Sequence, residues 1–243
     1  MARIVLVHGA FHEKSCWDGA KAALEARGHR VEAFDLPGHG EDKTPLEQVT
    51  LQVYADRVVE QLKSDPEPAV LLGHSMGGMV VTQAADDFLA GGGELKQVIY
   101  ASAFLPEDGQ SLVDLAGLPE GAGDMVQANV QVSGEPPIGV LSTEHAIAAF
   151  YGECDADVAQ AAAARLGPQP ILAFVMPVSI DNNRAVTRRY VVTGKDHALP
   201  TALQRRLSKH ASVVEVAEID TDHSAFLSKA DEFVDVVDRF ARS

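Results

Sequence analysis

Cysteine, basic charge and long apolar runs are all scarce in this chain of 243 residues. The two cysteines, Cys16 and Cys154, lie far apart and show no metal-ligand spacing. Such a pair makes neither a disulfide framework nor a zinc site, so reduced thiols, no metal and no cofactor are expected. Twenty basic residues face 35 acidic ones, for a net charge of −15. A phosphate backbone would be repelled, which argues against a nucleic-acid partner. No apolar run approaches the ~20 residues that span a bilayer. Residues 1–3 pass at once into a short apolar strand, shorter than the h-region of a signal peptide. The expectation is a soluble, cytoplasmic protein with no membrane partner. Internal repeats and low-complexity tracts are also missing.

What is present fits one large α/β domain with room for an inserted subdomain. Ile4-Val5-Leu6-Val7 and Ala69-Val70-Leu71-Leu72 are short, fully apolar runs, the pattern of strands buried on both faces of a parallel sheet. Further strands are predicted at residues 31–34, 97–101, 189–193 and 212–216. Helical segments are predicted at 17–27, 51–62, 76–90, 201–210 and 225–241. The alternation predicts six mainly parallel strands in a doubly wound sheet of order 2-1-3-4-5-6, with right-handed crossovers. Residues 105–185 read differently. Proline and glycine recur, strand-like alternation is weak, and two helical pieces stand out at 143–150 and 156–166, the second with Asp155 as N-cap. The expected division is a core of residues 1–104 and 186–243 with a helical cap of residues 105–185 over the carboxyl edge of the sheet.

The motif that organises the chain is Gly73-His74-Ser75-Met76-Gly77. It follows an apolar strand and opens a helix, which is the setting of a nucleophile elbow. A serine hydroxyl needs a base within reach and an acid to orient that base. Every candidate falls just after a strand: Ser75 after the third, Asp196 after the fifth, His223 after the sixth. Nine histidines are present, but only His223 follows the last strand. His8 and His74 are expected to buttress turns, His12 and His39 to line the mouth of the site, and His197 has no strand end of its own. Asp220 and Asp222 compete with Asp196 for the acid but adjoin the base and are expected to cap the last helix; Asp181 lies in the cap. The tetrahedral intermediate of acyl transfer needs two preorganised N–H donors. The N–H of Met76 follows the nucleophile, and that of Ala10, in the loop after the first strand, is the favoured second.

These motifs resemble one branch of the α/β-hydrolases: the plant methylesterases of salicylate-binding-protein and polyneuridine-aldehyde-esterase type, the related hydroxynitrile lyases, and bacterial esterase relatives. The matching stretches are His8-Gly9-Ala10 with Cys16-Trp17, Leu24-Glu25-Ala26-Arg27-Gly28-His29, Gly73 to Met79, Ala103-Phe104-Leu105-Pro106, Lys195-Asp196 with Pro200, and Asp222-His223. The resemblance covers both ends of the chain and the cap loosely. It implies an α/β-hydrolase fold, a Ser-Asp-His triad and no cofactor. Such lyases carry a lysine directly after the catalytic histidine, where this chain has Ser224, and a threonine where it has Gly9; the resemblance therefore implies an esterase.

Position suggests Phe11, Phe104, Phe150, Tyr151, Leu172, Phe174 and Met176 as lining an apolar pocket, with no arginine or lysine aimed into it. The expected substrate is a neutral small-molecule ester, aryl or methyl. A lyase using the triad as base, and a non-catalytic small-molecule receptor on the same fold, are the alternatives. A homodimer is left open.

Overall fold

In a computed structural model, which describes residues 1–181 and 185–243, the first half of the chain alternates strand and helix. The order is β1 (Arg3–Val7), α1 (Asp18–Ala26), β2 (Arg30–Ala33), α2 (Leu51–Lys63), β3 (Ala69–His74), α3 (Gly77–Ala90) and β4 (Leu95–Ala101). The last quarter resumes the alternation with β8 (Arg188–Thr193), α9 (Thr201–Leu207), β9 (Val213–Ile219), α10 (Ala225–Ser228) and α11 (Ala230–Arg242). Between β4 and β8 lie α4 (Leu112–Ala116), α5 (Met125–Asn129), β5 (Gln131–Ser133), β6 (Ile138–Val140), α6 (Thr143–Phe150), α7 (Ala156–Ala163), β7 (Gln169–Pro170) and α8 (Leu172–Val175).

The large sheet runs β2-β1-β3-β4-β8-β9, with every neighbouring pair parallel. This is the expected order, in an α/β-hydrolase fold. Every residue of β1 and of β3 is buried, because helices cover both faces of the sheet. On one face α2 supplies Leu51, Tyr54, Val58 and Leu62, a spacing of three and four that turns one helical stripe inward. On the other, α11 supplies Phe233, Val237 and Phe240 beside Trp17 and Phe226. The edge strand β9 alternates between half-buried and exposed residues up to a buried Ile219, as a strand covered on one side should.

Three differences from the sequence reading have plain causes. The segment between β4 and β8 is not purely helical: it holds a small antiparallel sheet of order β5-β6-β7, whose strands of two or three residues are too short to show a period. The helix predicted over 225–241 is broken at Lys229, whose φ of −137° and ψ of 50° leave the helical region. Asp155 precedes α7 but makes no side-chain cap bond. Of the residues expected in the cap, 182–184 lie outside the described residues. No helix among the described residues is long and apolar enough to cross a membrane.

Candidate active site

The Gly73–Gly77 motif closes β3 onto α3 in a turn that only small residues permit. A Cβ on Gly73 would lie 2.5 Å from the Gly77 carbonyl oxygen. Between them Ser75 adopts a φ of 55°, a left-handed conformation that costs a non-glycine residue about 1–3 kcal/mol and persists only when its surroundings enforce it. The enforcement is visible: the Ser75 carbonyl accepts from Gly78 N at 3.0 Å and from Phe104 N at 3.1 Å. Among residues 69–86, Ser75 alone is not buried. The N-terminus of the fourteen-residue α3 follows at once, so the positive end of a helix dipole faces the serine.

Two loops at the neighbouring strand ends carry the acid and the histidine, and they are zipped together. Gly194 N donates to Ile219 O at 2.9 Å and Lys195 N to Thr221 O at 2.8 Å. Asp196 is fully saturated. Its Oδ1 accepts from Ala198 N and Leu199 N, each at 2.8 Å. Its Oδ2 accepts from Thr193 Oγ1 and Gln204 Nε2, each at 2.8 Å, and from His223 Nδ1 at 2.7 Å. A carboxylate can only accept, so Nδ1 of His223 carries a proton, and in the neutral ring the lone pair is on Nε2. That Nε2 is buried with no hydrogen-bond partner. The His223 carbonyl is held by His74 Nε2 at 3.0 Å and Ser102 Oγ at 3.2 Å.

The other histidines divide by burial. The His74 ring lies 4.5 Å from the His223 ring and is tilted 50° to it, and burial, then the nearby His223 and His12, push its pKa well below the ordinary value. His8 is likewise held well below it, first by burial and then by His39. Its Nδ1 donates to Gly9 O at 2.9 Å while Nε2 accepts from Leu36 N at 3.0 Å. His12 and His39, expected at the mouth, are instead buried, and burial lowers each to about 4. His197 is exposed.

The rival acids sit elsewhere. Asp181 and Asp220 are exposed, the latter 3.4 Å from Lys195 Nζ. Asp222 is buried and accepts from Ser224 N, Ser228 Oγ, Glu153 N and, at 3.7 Å, Cys154 Sγ. It therefore ties the histidine loop both to α10 and to the segment after α6. Burial first, and then the charge of Asp222, push the Cys154 thiol up to about 12; burial pushes Cys16 well above its usual value.

Ser75 opens into a cavity of about 280 Å³. Ala10, Phe11, Met76, Phe104, Phe150 and Phe174 line it, as placed from sequence. Tyr151, Leu172 and Met176 do not. Tyr151 turns its hydroxyl to His12 Nε2 at 2.9 Å and borders a second cavity of about 230 Å³. Leu172 and Met176 are half-buried at and beyond α8. The residues that sequence reasoning missed are Leu112, Val113 and Ala116 of α4, Val126, Val130 and Val132 in and near α5 and β5, Ile171, Ala198, and the polar pair Asp124 and Gln127. Asp124 caps α5 through Val126 N and Gln127 N, and burial raises its carboxyl above the usual range. Ala10 and Met76 both border the cavity beside Ser75, whereas the Phe11 N–H is taken by Gln169 Oε1 at 3.2 Å. Among the described residues no cluster of three or more His, Cys, Asp or Glu could hold a metal ion.

This chain belongs to the Alpha/beta hydrolase family, which it matches over residues 4–236. It is 30% identical to Methylesterase 7 of Arabidopsis thaliana, with 98% of this chain and 97% of the relative covered. It is 31% identical to an Alpha-hydroxynitrile lyase of the same plant, with 98% and 96% covered. A pyrethroid hydrolase from Sphingobium faniae JZ-2 shares its fold with a TM-score of 0.89 at 26% identity, over 100% of this chain and 98% of that one. A polyneuridine aldehyde esterase mutant does so with a TM-score of 0.87 at 24% identity over 99% of each chain, which speaks to fold alone. Family and relatives together make the chain an enzyme of carboxylesterase type.

Proposed function

We propose that the protein is a cofactor-free serine esterase acting on small neutral carboxylic esters with an aryl or methyl group. Ser75 is the nucleophile, His223 the base, Asp196 the acid that orients it, and the N–H groups of Ala10 and Met76 form the oxyanion hole. Residues 105–185 act as a cap that shapes the pocket. In the first half-reaction Ser75 Oγ attacks the acyl carbon as its proton passes to His223 Nε2. The oxyanion accepts from the two amides. Collapse expels the alkoxide, which takes the proton from His223 and leaves as alcohol. Water then attacks the acyl-enzyme by the same route in reverse and releases the acid.

The observation that carries this reading is the His223 ring. It is protonated on the side of a five-fold satisfied Asp196 and unpartnered at Nε2, and its ring lies 5.5 Å from that of Phe150, which lines the cavity into which Ser75 opens. A lone pair kept dry and unpaired is what a general base needs before substrate arrives. The pocket wall of Phe11, Phe104, Phe150 and Phe174 supports an apolar substituent on the ester. Hydrolysis of p-nitrophenyl acetate by the wild type, lost by several orders of magnitude in Ser75→Ala, is the expected result. An inactive wild type, or an equally active variant, rejects the reading.

The lyase relative favours a second reading, in which the same triad acts as a base on a cyanohydrin. Two features weigh against it. Ser224 follows the histidine, and a side chain on Gly9 would place its Cβ 2.8 Å from Ser75 Cβ. Release of benzaldehyde and cyanide from mandelonitrile faster than ester cleavage would decide for the lyase.

A further inference from the structure

The loop that bears Ala10 is not self-supporting. Phe11, the next residue, has a φ of 65°, and both of its backbone polar groups are satisfied by the segment that leads into β7. Its N–H donates to Gln169 Oε1 at 3.2 Å, and its carbonyl accepts from Gly167 N at 2.8 Å. Gln169 is completely buried, and its amide can face only one way. Phe11 N–H is a donor and requires the oxygen. The Pro170 carbonyl, 3.0 Å from Nε2, is an acceptor and requires the nitrogen. The same Nε2 donates to Tyr54 OH at 3.2 Å, which leaves the tyrosine proton to His39 Nε2 at 2.7 Å. Burial keeps His39 neutral, with a pKa lowered to about 4, so its ring has a lone pair to receive that proton. A second line runs from Tyr151 OH to His12 Nε2 and from His12 Nδ1 to Ala10 O at 2.7 Å. The peptide between Ala10 and Phe11 is thus gripped at its oxygen by His12 and at its nitrogen by Gln169. Both grips originate in the segment inserted between β4 and β8.

From this geometry we infer that Gln169 is a positioning residue for the oxyanion hole: by holding the Phe11 N–H it sets the direction of the Ala10 N–H, so the inserted segment must be seated before the site can stabilise a tetrahedral intermediate. Gln169 does not itself line the cavity and reaches it only through Phe11. Its effect belongs to the transition state and not to ground-state binding.

The inference rests on the esterase reading, and the experiment separates the two. Wild type, Ser75→Ala, Gln169→Leu and Gln169→Glu are compared for p-nitrophenyl ester turnover, for inhibition by an aryl trifluoromethyl ketone, and for inhibition by the product carboxylic acid. The ketone forms a tetrahedral adduct with the serine; the acid does not. Failure of the wild type against Ser75→Ala rejects the esterase reading itself. Given an active wild type, Gln169→Leu is expected to lower kcat tenfold to a hundredfold, on the order of a displaced oxyanion donor. It is expected to weaken the ketone in parallel, with KM and acid affinity changing less than about threefold. In Gln169→Glu the protonated carboxyl keeps an acceptor for Phe11 and a donor for Pro170, so this variant recovers most of the lost kcat at acidic pH and less at alkaline pH. An unchanged kcat in Gln169→Leu overturns the inference, as does a parallel loss of ketone and acid affinity. Should Gln169→Leu not fold, a Gln169→Glu kcat that does not vary with pH beyond the wild-type profile overturns it too.

Discussion

The two walls of the cavity are built by different physics. The sheet edge behind the cavity joins residues far apart in the chain through saturated hydrogen bonds: five to Asp196, two to the His223 carbonyl and two to the Ser75 carbonyl. The opposite wall, from α4, β5, α6 and α8, is mostly apolar side chains. Dispersion and burial are non-directional, whereas a hydrogen bond is lost within a few tenths of an ångström. On the proposed esterase reading the first side sets the rate and the second sets which ester is accepted, so changes in the second should be tolerated far better.

The contrast is sharpest at Asp196. Asp196→Asn offers His223 Nδ1 an amide that can present its own N–H, and kcat should fall on the order of 10⁴-fold with the thermal midpoint little changed. A loss below about tenfold in steady-state kinetics would remove the carboxylate from the mechanism. Gly9→Ala tests where the walls meet. Its new Cβ would lie 2.8 Å from Ser75 Cβ and 3.0 Å from His74 Nδ1. Displacing the nucleophile should cost about a hundredfold in kcat and the overpacking about 1–3 kcal/mol in chemical denaturation; wild-type kinetics in this variant would break the close-packing argument. On the apolar wall, Phe174→Ala should lower kcat/KM for aryl esters about tenfold while small alkyl esters lose less. Met176→Ala, outside the cavity, should stay within about twofold. Equal effects of the two on an ester panel would mean that the wall does not select.

The smallest effect is on stability against pH. His8, His12, His39 and His74 bind protons less readily folded than unfolded. Below the ordinary value of 6.5 the unfolded chain takes up protons that the fold refuses. Stability is thus full above about pH 6.5 and falls as the pH drops toward 4, where His12 and His39 charge in the fold. Calorimetric midpoints should decline over that window, and a flat profile from about pH 7 to 5 would show that the histidines are not held neutral.

The sheet wall was the readable one. β1 and β3 announce themselves as unbroken apolar runs, and parallel topology then forces ligand-facing residues to the strand ends. Ser75, Asp196 and His223 are found there by position and chemistry together. The apolar wall was half readable: phenylalanines near the expected pocket could be named, but not which way each turns. Tyr151 faces His12, and Met176 packs against the main core. Val113 and Val132 reach the cavity from a five-residue helix and a three-residue strand, elements too short for a periodic signal. Gln169 and Gln204 were invisible, because a buried amide is defined by partners that only the folded chain brings near. Gln204 sits on a helix that the pattern did reveal, and Gln169 between two prolines that read as loop.

The two thiols have a practical consequence. Electrophiles are captured by thiolates, and burial, joined at Cys154 by Asp222, keeps both cysteines un-ionised at neutral pH. A cysteine introduced on an exposed loop would then be the fastest-reacting thiol in the molecule. The native chain needs no cysteine-free background before a fluorophore, a surface tether or a spin label is attached by maleimide chemistry.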